Sequence, residues 1–306
     1  MPRRSGVHRR GSMHSRLAEL QEKFKHLTNL PTLPDVVVQC MRMTSDPLTS
    51  SGDIAVVIGQ DLSLSSKVLR LANSAFYGIP GKIASINQAV VLLGFKVITT
   101  IVLSATVFDM FPESKRSRRL FDRKAFWLHS LGCALIAKYL AERPERPLPL
   151  DPEEAFCAGL LHDIGKVVLE QYQHEEFHTA LDTARKKKIP LHEAELQELG
   201  FTHTDTAAWL LSGWMLPPEI ELPLTRHHDP AGTGEYSVGI ALCHAADWLC
   251  YKIGMVIDSA YATPVLDETV AAMLHVTPEI IEDLREKIPV AIEQSSIFFL
   301  GAGAAK

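Results

Sequence analysis

Apolar side chains in this chain recur at steps of three and four residues almost from end to end, and that spacing admits few architectures. Residues so spaced fall on one face of an α-helix. The segment 15–27 does this with Leu17, Leu20, Phe24 and Leu27. The same pattern predicts helices at 36–43, 54–60, 62–72, 86–93, 96–108, 121–141, 152–172, 177–188, 191–199, 204–214, 218–226, 237–251, 268–274 and 278–291. Few segments alternate strictly over strand length, and no Asn-Gly or Asp-Gly turn joins two of them. The expected fold class is therefore all-α.

The helix boundaries carry their own chemistry. Pro31 and Pro34 disfavour helix for the residues before them. Ser50, Ser85 and Asp151 offer side-chain oxygens where a helix should start, and Pro152 suits the first turn of the helix that Asp151 would cap. The run Pro-Glu-Ser-Lys-Arg-Ser-Arg-Arg at 112–119 is the best internal boundary. It divides the chain into a disordered tail at 1–14, an N-terminal helical lobe at 15–111, a C-terminal helical lobe at 120–292 and a second tail at 293–306.

With 31 basic and 36 acidic side chains the formal net charge is −5, and 46% of residues are apolar. That excludes a disordered chain and a strongly basic nucleic-acid binder, so no DNA binding is expected. Five cysteines (Cys40, Cys133, Cys157, Cys243 and Cys250) include no Cys-x-x-Cys pair. Free buried thiols in the reducing cytoplasm fit this better than a disulfide framework. No stretch reaches the roughly 18 consecutive apolar residues of a membrane span.

Histidine and aspartate are placed unusually in the second half. His129 lies in Trp-Leu-His-Ser-Leu-Gly-Cys, a helix of apolar character, and His162-Asp163 lies within Gly-Leu-Leu-His-Asp-Ile-Gly-Lys. His203 opens a helix, His227-His228 close one, and Asp247 interrupts another apolar helix. A carboxylate and an imidazole buried among apolar neighbours are costly unless something pairs with them, and a divalent cation is one such partner. Imidazole and carboxylate donors suit Fe, Mn, Zn or Ni, with oxygen donors shifting the balance toward Mn and Mg. Read this way, His129, His162, Asp163 and Asp247 form a four-ligand set, and His203, His227 and His228 hold a second ion. Neighbouring helical residues point about 100° apart, so His162 and Asp163 can straddle one ion. The bland alternatives are hydrogen-bonded core histidines and an aspartate cap. His8, His14, His26, His174, His178, His192 and His275 read as surface residues.

At these residues the chain resembles the HD superfamily of metal-dependent phosphohydrolases, in the order H…HD…H…HH…D. The resemblance to the HDOD branch is closer and covers roughly residues 28–290. It rests on Leu30-Pro31-Thr32-Leu33-Pro34 and on Lys67-Val68-Leu69-Arg70-Leu71-Ala72-Asn73-Ser74-Ala75-Phe76-Tyr77. The segment from Ile83-Ala84-Ser85-Ile86-Asn87 to Leu92-Leu93-Gly94 and the turn Trp214-Met215-Leu216-Pro217 also match. The resemblance implies a two-lobed helical HDOD domain with an HD-type bundle in its C-terminal half, and a bacterial role in signal transduction. HD-GYP phosphodiesterases share the histidine order, but their Gly-Tyr-Pro loop is absent after His228, where the chain reads Asp229-Pro230-Ala231-Gly232-Thr233-Gly234. This departure points away from cyclic di-GMP hydrolysis.

The expected function is regulatory, through contact with a signalling protein or a nucleotide second messenger, with homodimerisation compatible, and with metal bound in the HD half. The alternative is a metal-dependent phosphohydrolase in which Asp163 orients an attacking water and Lys166 neutralises a phosphate oxygen. The other reading of Lys166 is a solvated surface lysine. Asn73 and Ser74 are expected to brace a connector, and Trp214 to pack in the core.

Overall fold

Side-chain oxygens start the helices at most of the anticipated places. Ser50 accepts from the Asp53 amide in a capping box, Ser85 accepts from Gln88, and Asp151 accepts from Glu153 ahead of Pro152. The structure, a computed structural model, describes residues 30–111, 121–145, 147–230 and 237–295. The expected helix at 15–27, the tail at 1–14, the boundary at 112–119 and the last residues from 296 lie outside them. The described residues are helical without a strand, so the fold is all-α.

Five helices form the first group: α1 (Asp35–Thr44), α2 (Ser51–Gly59), α3 (Leu62–Ala72), α4 (Ile86–Leu93) and α5 (Phe95–Met110). Their apolar faces meet in a shared core that includes Val37, Ile54, Ile58, Val68, Ile98 and Ile101. Gly94, at φ 88°, makes the turn between α4 and α5. Asn73 fixes the connector after α3. Its amide donates to the Leu69 and Ile83 carbonyls and its side-chain oxygen accepts from the Ile83 amide. The expected bracing role of Asn73 is therefore its observed one, whereas the Ser74 hydroxyl, expected to share it, is buried without a hydrogen-bond partner.

The second group contains α6 (Arg123–Ala141), α7 (Pro152–Leu161), α8 (Ile164–Tyr172), α9 (His174–Lys187) and α10 (Leu191–Glu198). It continues with α11 (His203–Leu211), α12 (Pro218–Arg226), α13 (Ser237–Lys252), α14 (Glu268–Leu274) and α15 (Pro278–Ser295). Helix α6 packs along α7 and α13, while α11 packs against α8 and α12. The two groups meet where α5 lies on α7. Lys96 of α5 reaches Asp151 at 2.8 Å and Glu154 at 3.0 Å there. Phe76 packs against Phe156 at a tilt, with 5.8 Å between ring centres. Trp214 is buried, as expected, and its indole N–H donates to the Pro31 carbonyl.

One expected helix is broken. The span 152–172 is two helices, with His162 and Asp163 at the joint. Asp163 has φ −98° and ψ 11°, outside the helical basin. The pair is therefore presented by a corner between two helices rather than by a single helix face.

Candidate metal centre

Two glycines flank that corner and let neighbouring helices close on it. A Cβ at Gly159 would stand 2.8 Å from the Ala134 Cα of α6. A Cβ at Gly165 would stand 1.9 Å from the carbonyl oxygen of His203, which no backbone tolerates. The absence of a side chain at 165 is what allows α11 to bring His203 against Asp163.

All seven of the anticipated histidines and aspartates come together. His129, His162, Asp163, His203 and His227 are essentially inaccessible, at no more than 1% exposure, and Asp247 is buried at 4%. The Asp163 carboxylate stands at the middle. Its Oδ2 lies 3.2 Å from His162 Nε2 and 3.8 Å from His129 Nε2. Its Oδ1 lies 3.1 Å from His203 Nε2 and 3.7 Å from His227 Nε2. Asp247 Oδ1 completes the first side, 3.2 Å from His129 Nε2 and 4.0 Å from His162 Nε2. His228 completes the second, with its Nε2 3.1 Å from that of His203.

In four of the five histidines the other ring nitrogen is held by a surrounding group. Nδ1 meets the Met255 carbonyl in His129 (2.9 Å), the Gly159 carbonyl in His162 (2.8 Å) and the Pro223 carbonyl in His227 (3.3 Å). In His203 it meets Glu195 Oε2 at 2.7 Å, and the same oxygen accepts from the His203 amide. Pairing Nδ1–H with an acceptor leaves Nε2 as a bare lone pair, and here the Nε2 atoms all point inward.

That arrangement is unsatisfied as it stands. His162 Nε2, Asp163 Oδ1 and Asp247 Oδ1 are buried and have no hydrogen-bond partner. Carboxylates and imidazoles crowded in this way call for positive charge among them, of which Lys166 and a proton on His203 supply only part in the metal-free chain. Two sets of donor atoms are near enough to share one: His129, Cys133, His162 and Asp247, and separately Asp163, His203, His227 and His228. A divalent cation fits both sets by donor chemistry, with Asp163 facing each.

The proton affinities follow the same crowding. Burial disfavours the Asp163 carboxylate, but His162 and Lys166 more than offset it and hold its pKa well below the usual carboxylate range. Burial opposes charge on His203, yet Glu195 and Asp163 raise its pKa to about 9. His227 and His228 go the other way, pushed well down by burial and by neighbouring imidazoles.

Lys166 is not a surface lysine. It is 4% exposed and its ammonium donates to Asp163 Oδ2. Three histidines expected at the surface are also placed otherwise. His192 stacks on His228 with ring centres 4.1 Å apart, and half-buried His174 and His178 pack together at 3.8 Å.

Glu195 and Cys133 escaped the sequence reading. Glu195 shares the inward stripe of α10 with Leu191 and Ala194, so a carboxylate on an apolar face was the available signal. Cys133 follows His129 by one turn of α6, and its Sγ lies 3.5 Å from His129 Nε2.

With this geometry in place, the chain can be set beside known proteins. The HDOD domain family matches residues 30–230. The chain belongs to the HDOD family. An HDOD domain protein of unknown function from Geobacter sulfurreducens is 27% identical, with a TM-score of 0.72 over 94% of this chain and 97% of that one. A Marinobacter aquaeolei VT8 protein provisionally named for signal transduction has a TM-score of 0.72 at 24% identity, covering 96% of this chain and 65% of its own. A Shewanella amazonensis SB2B protein provisionally named a phosphohydrolase has a TM-score of 0.68 at 23% identity, covering 92% and 96%. At those identities the last two share the fold. An uncharacterised protein of Treponema pallidum (strain Nichols) is 24% identical over 212 residues, 69% of this chain. The chain spans 40% of that relative's length. Among the described residues no helix is long and apolar enough to cross a membrane.

Proposed function

We propose that this HDOD protein is a metal-dependent phosphohydrolase of a signalling system, with two divalent cations held on either side of Asp163. The observation that carries the reading is the Asp163 carboxylate, which offers one oxygen to each of two converging donor sets. His129, His162 and Asp247 would hold one ion, and His203, His227 and His228 the other. A bound divalent cation lowers the pKa of its water toward about 7 and so supplies hydroxide at neutral pH. The protein's own groups do the rest. The Nδ1 contacts to Met255, Gly159, Pro223 and Glu195 orient the imidazoles. Lys166 contributes a buried positive charge beside Asp163, able to stabilise an anionic phosphoryl oxygen. The names of the Shewanella and Marinobacter relatives accord with this reading.

A second reading is a metal-bound module that binds a nucleotide second messenger or a protein partner without turnover. The enclosure of the cluster favours it, since His162, His203 and His227 are fully buried. One experiment separates the two. Purified protein supplied in turn with Zn²⁺, Co²⁺ and Mn²⁺ is expected to cleave a generic chromogenic phosphodiester with at least one of them, and Asp163→Ala to abolish cleavage while leaving the helical circular dichroism in place. Cleavage undiminished in Asp163→Ala would refute the enzyme reading. Metal uptake without any cleavage would leave the binding module.

A further inference from the structure

We infer that Cys133 is a thiolate ligand of the ion held by His129, His162 and Asp247, so that this side of the centre selects a thiolate-accepting cation such as Zn²⁺, Fe²⁺ or Co²⁺ over Mg²⁺ or Mn²⁺. This rests on the metal-binding reading above and adds to it the class of metal.

Position comes first. His129 and Cys133 are four residues apart on α6, so both project from one face of it. The Sγ atom lies 3.5 Å from His129 Nε2. Two ligands of one tetrahedral ion, with metal–nitrogen near 2.0–2.1 Å and metal–sulfur near 2.3 Å, stand about 3.6 Å apart. The observed separation is a hydrogen-bond distance in the metal-free chain and also equals that of two ligands of one ion. The donor atoms of His129, Cys133, His162 and Asp247 all lie within 4.8 Å of one another. Two of these atoms, His162 Nε2 and Asp247 Oδ1, are buried and have no hydrogen-bond partner.

The surroundings fit the role. Cys133 is fully buried, so its thiol is not placed to meet solutes. A second thiol, Cys250, has its Sγ 3.5 Å from that of Cys133 and is anchored toward the His129 carbonyl at 3.8 Å. In the metal-free chain the Cys133 S–H is directed at the Cys250 sulfur, and the Cys250 S–H at the His129 carbonyl, so the Cys133 thiol is the one whose proton a cation would displace. The two sides of Asp163 then differ. One offers sulfur as well as nitrogen and oxygen, while the other offers three imidazoles. Thiolate ligands favour softer cations, so the first side is the one that discriminates.

The test is cobalt substitution. Metal-stripped protein is titrated with Co²⁺ and its absorption spectrum recorded. The expected result is visible d–d absorption together with a near-ultraviolet thiolate-to-cobalt charge-transfer band. That band is lost in Cys133→Ser and retained in Cys250→Ser. Co²⁺ bound with no charge-transfer band in the parent protein, or a band that survives Cys133→Ser, overturns the inference while leaving a metal centre in place. No Co²⁺ binding at all overturns the centre as well. X-ray absorption on the zinc-loaded parent protein needs no variant. A sulfur shell at about 2.3 Å beside the nitrogen and oxygen shell is expected, and a shell of nitrogen and oxygen alone contradicts the assignment.

Discussion

The helices of residues 30–111 and those that follow Arg123 are built from the same apolar stripes, yet they treat buried polar groups in opposite ways. In the first group polar atoms close on their own backbone. Ser104 donates to the Thr100 carbonyl, Thr44 to the Cys40 carbonyl, and Asn73 satisfies both ends of its amide. Its one buried side-chain atom without a partner, among the described residues, is the neutral hydroxyl of Ser74. In the second group the unpartnered atoms include Asp163 Oδ1, Asp247 Oδ1 and His162 Nε2, which face one another. A hydroxyl left alone is a small defect, whereas carboxylates and imidazoles left facing one another form a set of donors that could hold a cation. The unpartnered ionisable atoms named above lie in the second group, and the proposed metal centre is built there.

Paired substitutions press hardest on that contrast. Ile58 is fully buried in the first core, and Ile58→Ala should cost roughly 2–5 kcal/mol in chemical denaturation while leaving metal stoichiometry unchanged. Gly165→Ala should do the reverse. Its new Cβ cannot share space with the His203 carbonyl, so α8 and α11 must part. Overpacking costs about 1–3 kcal/mol, and the larger effect should be loss of bound metal on the His203 side. Equal loss of metal in both variants would erase the distinction between the groups.

Glu195→Gln is a finer probe. Glu195 Oε2 holds both the amide and Nδ1 of His203. Replacing such an orienting carboxylate should weaken metal affinity on the order of 10–100-fold by calorimetry, with little change in fold. An unchanged affinity would show that His203 needs no orientation.

Far more of the fold than of the centre was legible in the sequence. The bounds of α3, α4 and α14 coincide with the apolar periods at 62–72, 86–93 and 268–274. Ser50, Ser85 and Asp151 announced their helices because a cap is a local interaction. The corner at His162-Asp163 stayed hidden because apolar residues run on through it, from Leu160 and Leu161 to Ile164, Val167 and Val168. The seven histidines and aspartates stood out because each is a polar residue in an apolar or terminal setting. Glu195, Cys133 and His192 did not, since their meaning comes from helices that approach only in the folded chain. Lys166 was singled out as a charge for a phosphate oxygen, but its burial against Asp163 needed the structure.

A smaller, continuous effect lies in pH. His203 has a pKa of about 9 in the folded, metal-free chain against an ordinary value of 6.5. A raised pKa means the folded state holds the proton more tightly. Its contribution is full below pH 6.5 and is lost as pH rises through about 9. The metal-free protein should therefore melt at a lower temperature at pH 9 than at pH 6.5. Metal affinity should change in the opposite sense, because a ligating imidazole must first lose its proton. A chelator-treated sample whose melting temperature rises between those two pH values would contradict the account.

The most direct test is the number of divalent ions the native chain holds. Elemental analysis after exhaustive dialysis, repeated on metal-stripped protein resupplied with Zn²⁺, is expected to give two ions per chain. His162→Ala is expected to reduce that number. A native chain that retains and takes up no ion, or one whose metal content is untouched by His162→Ala, would contradict the claim that these side chains converge to hold cations.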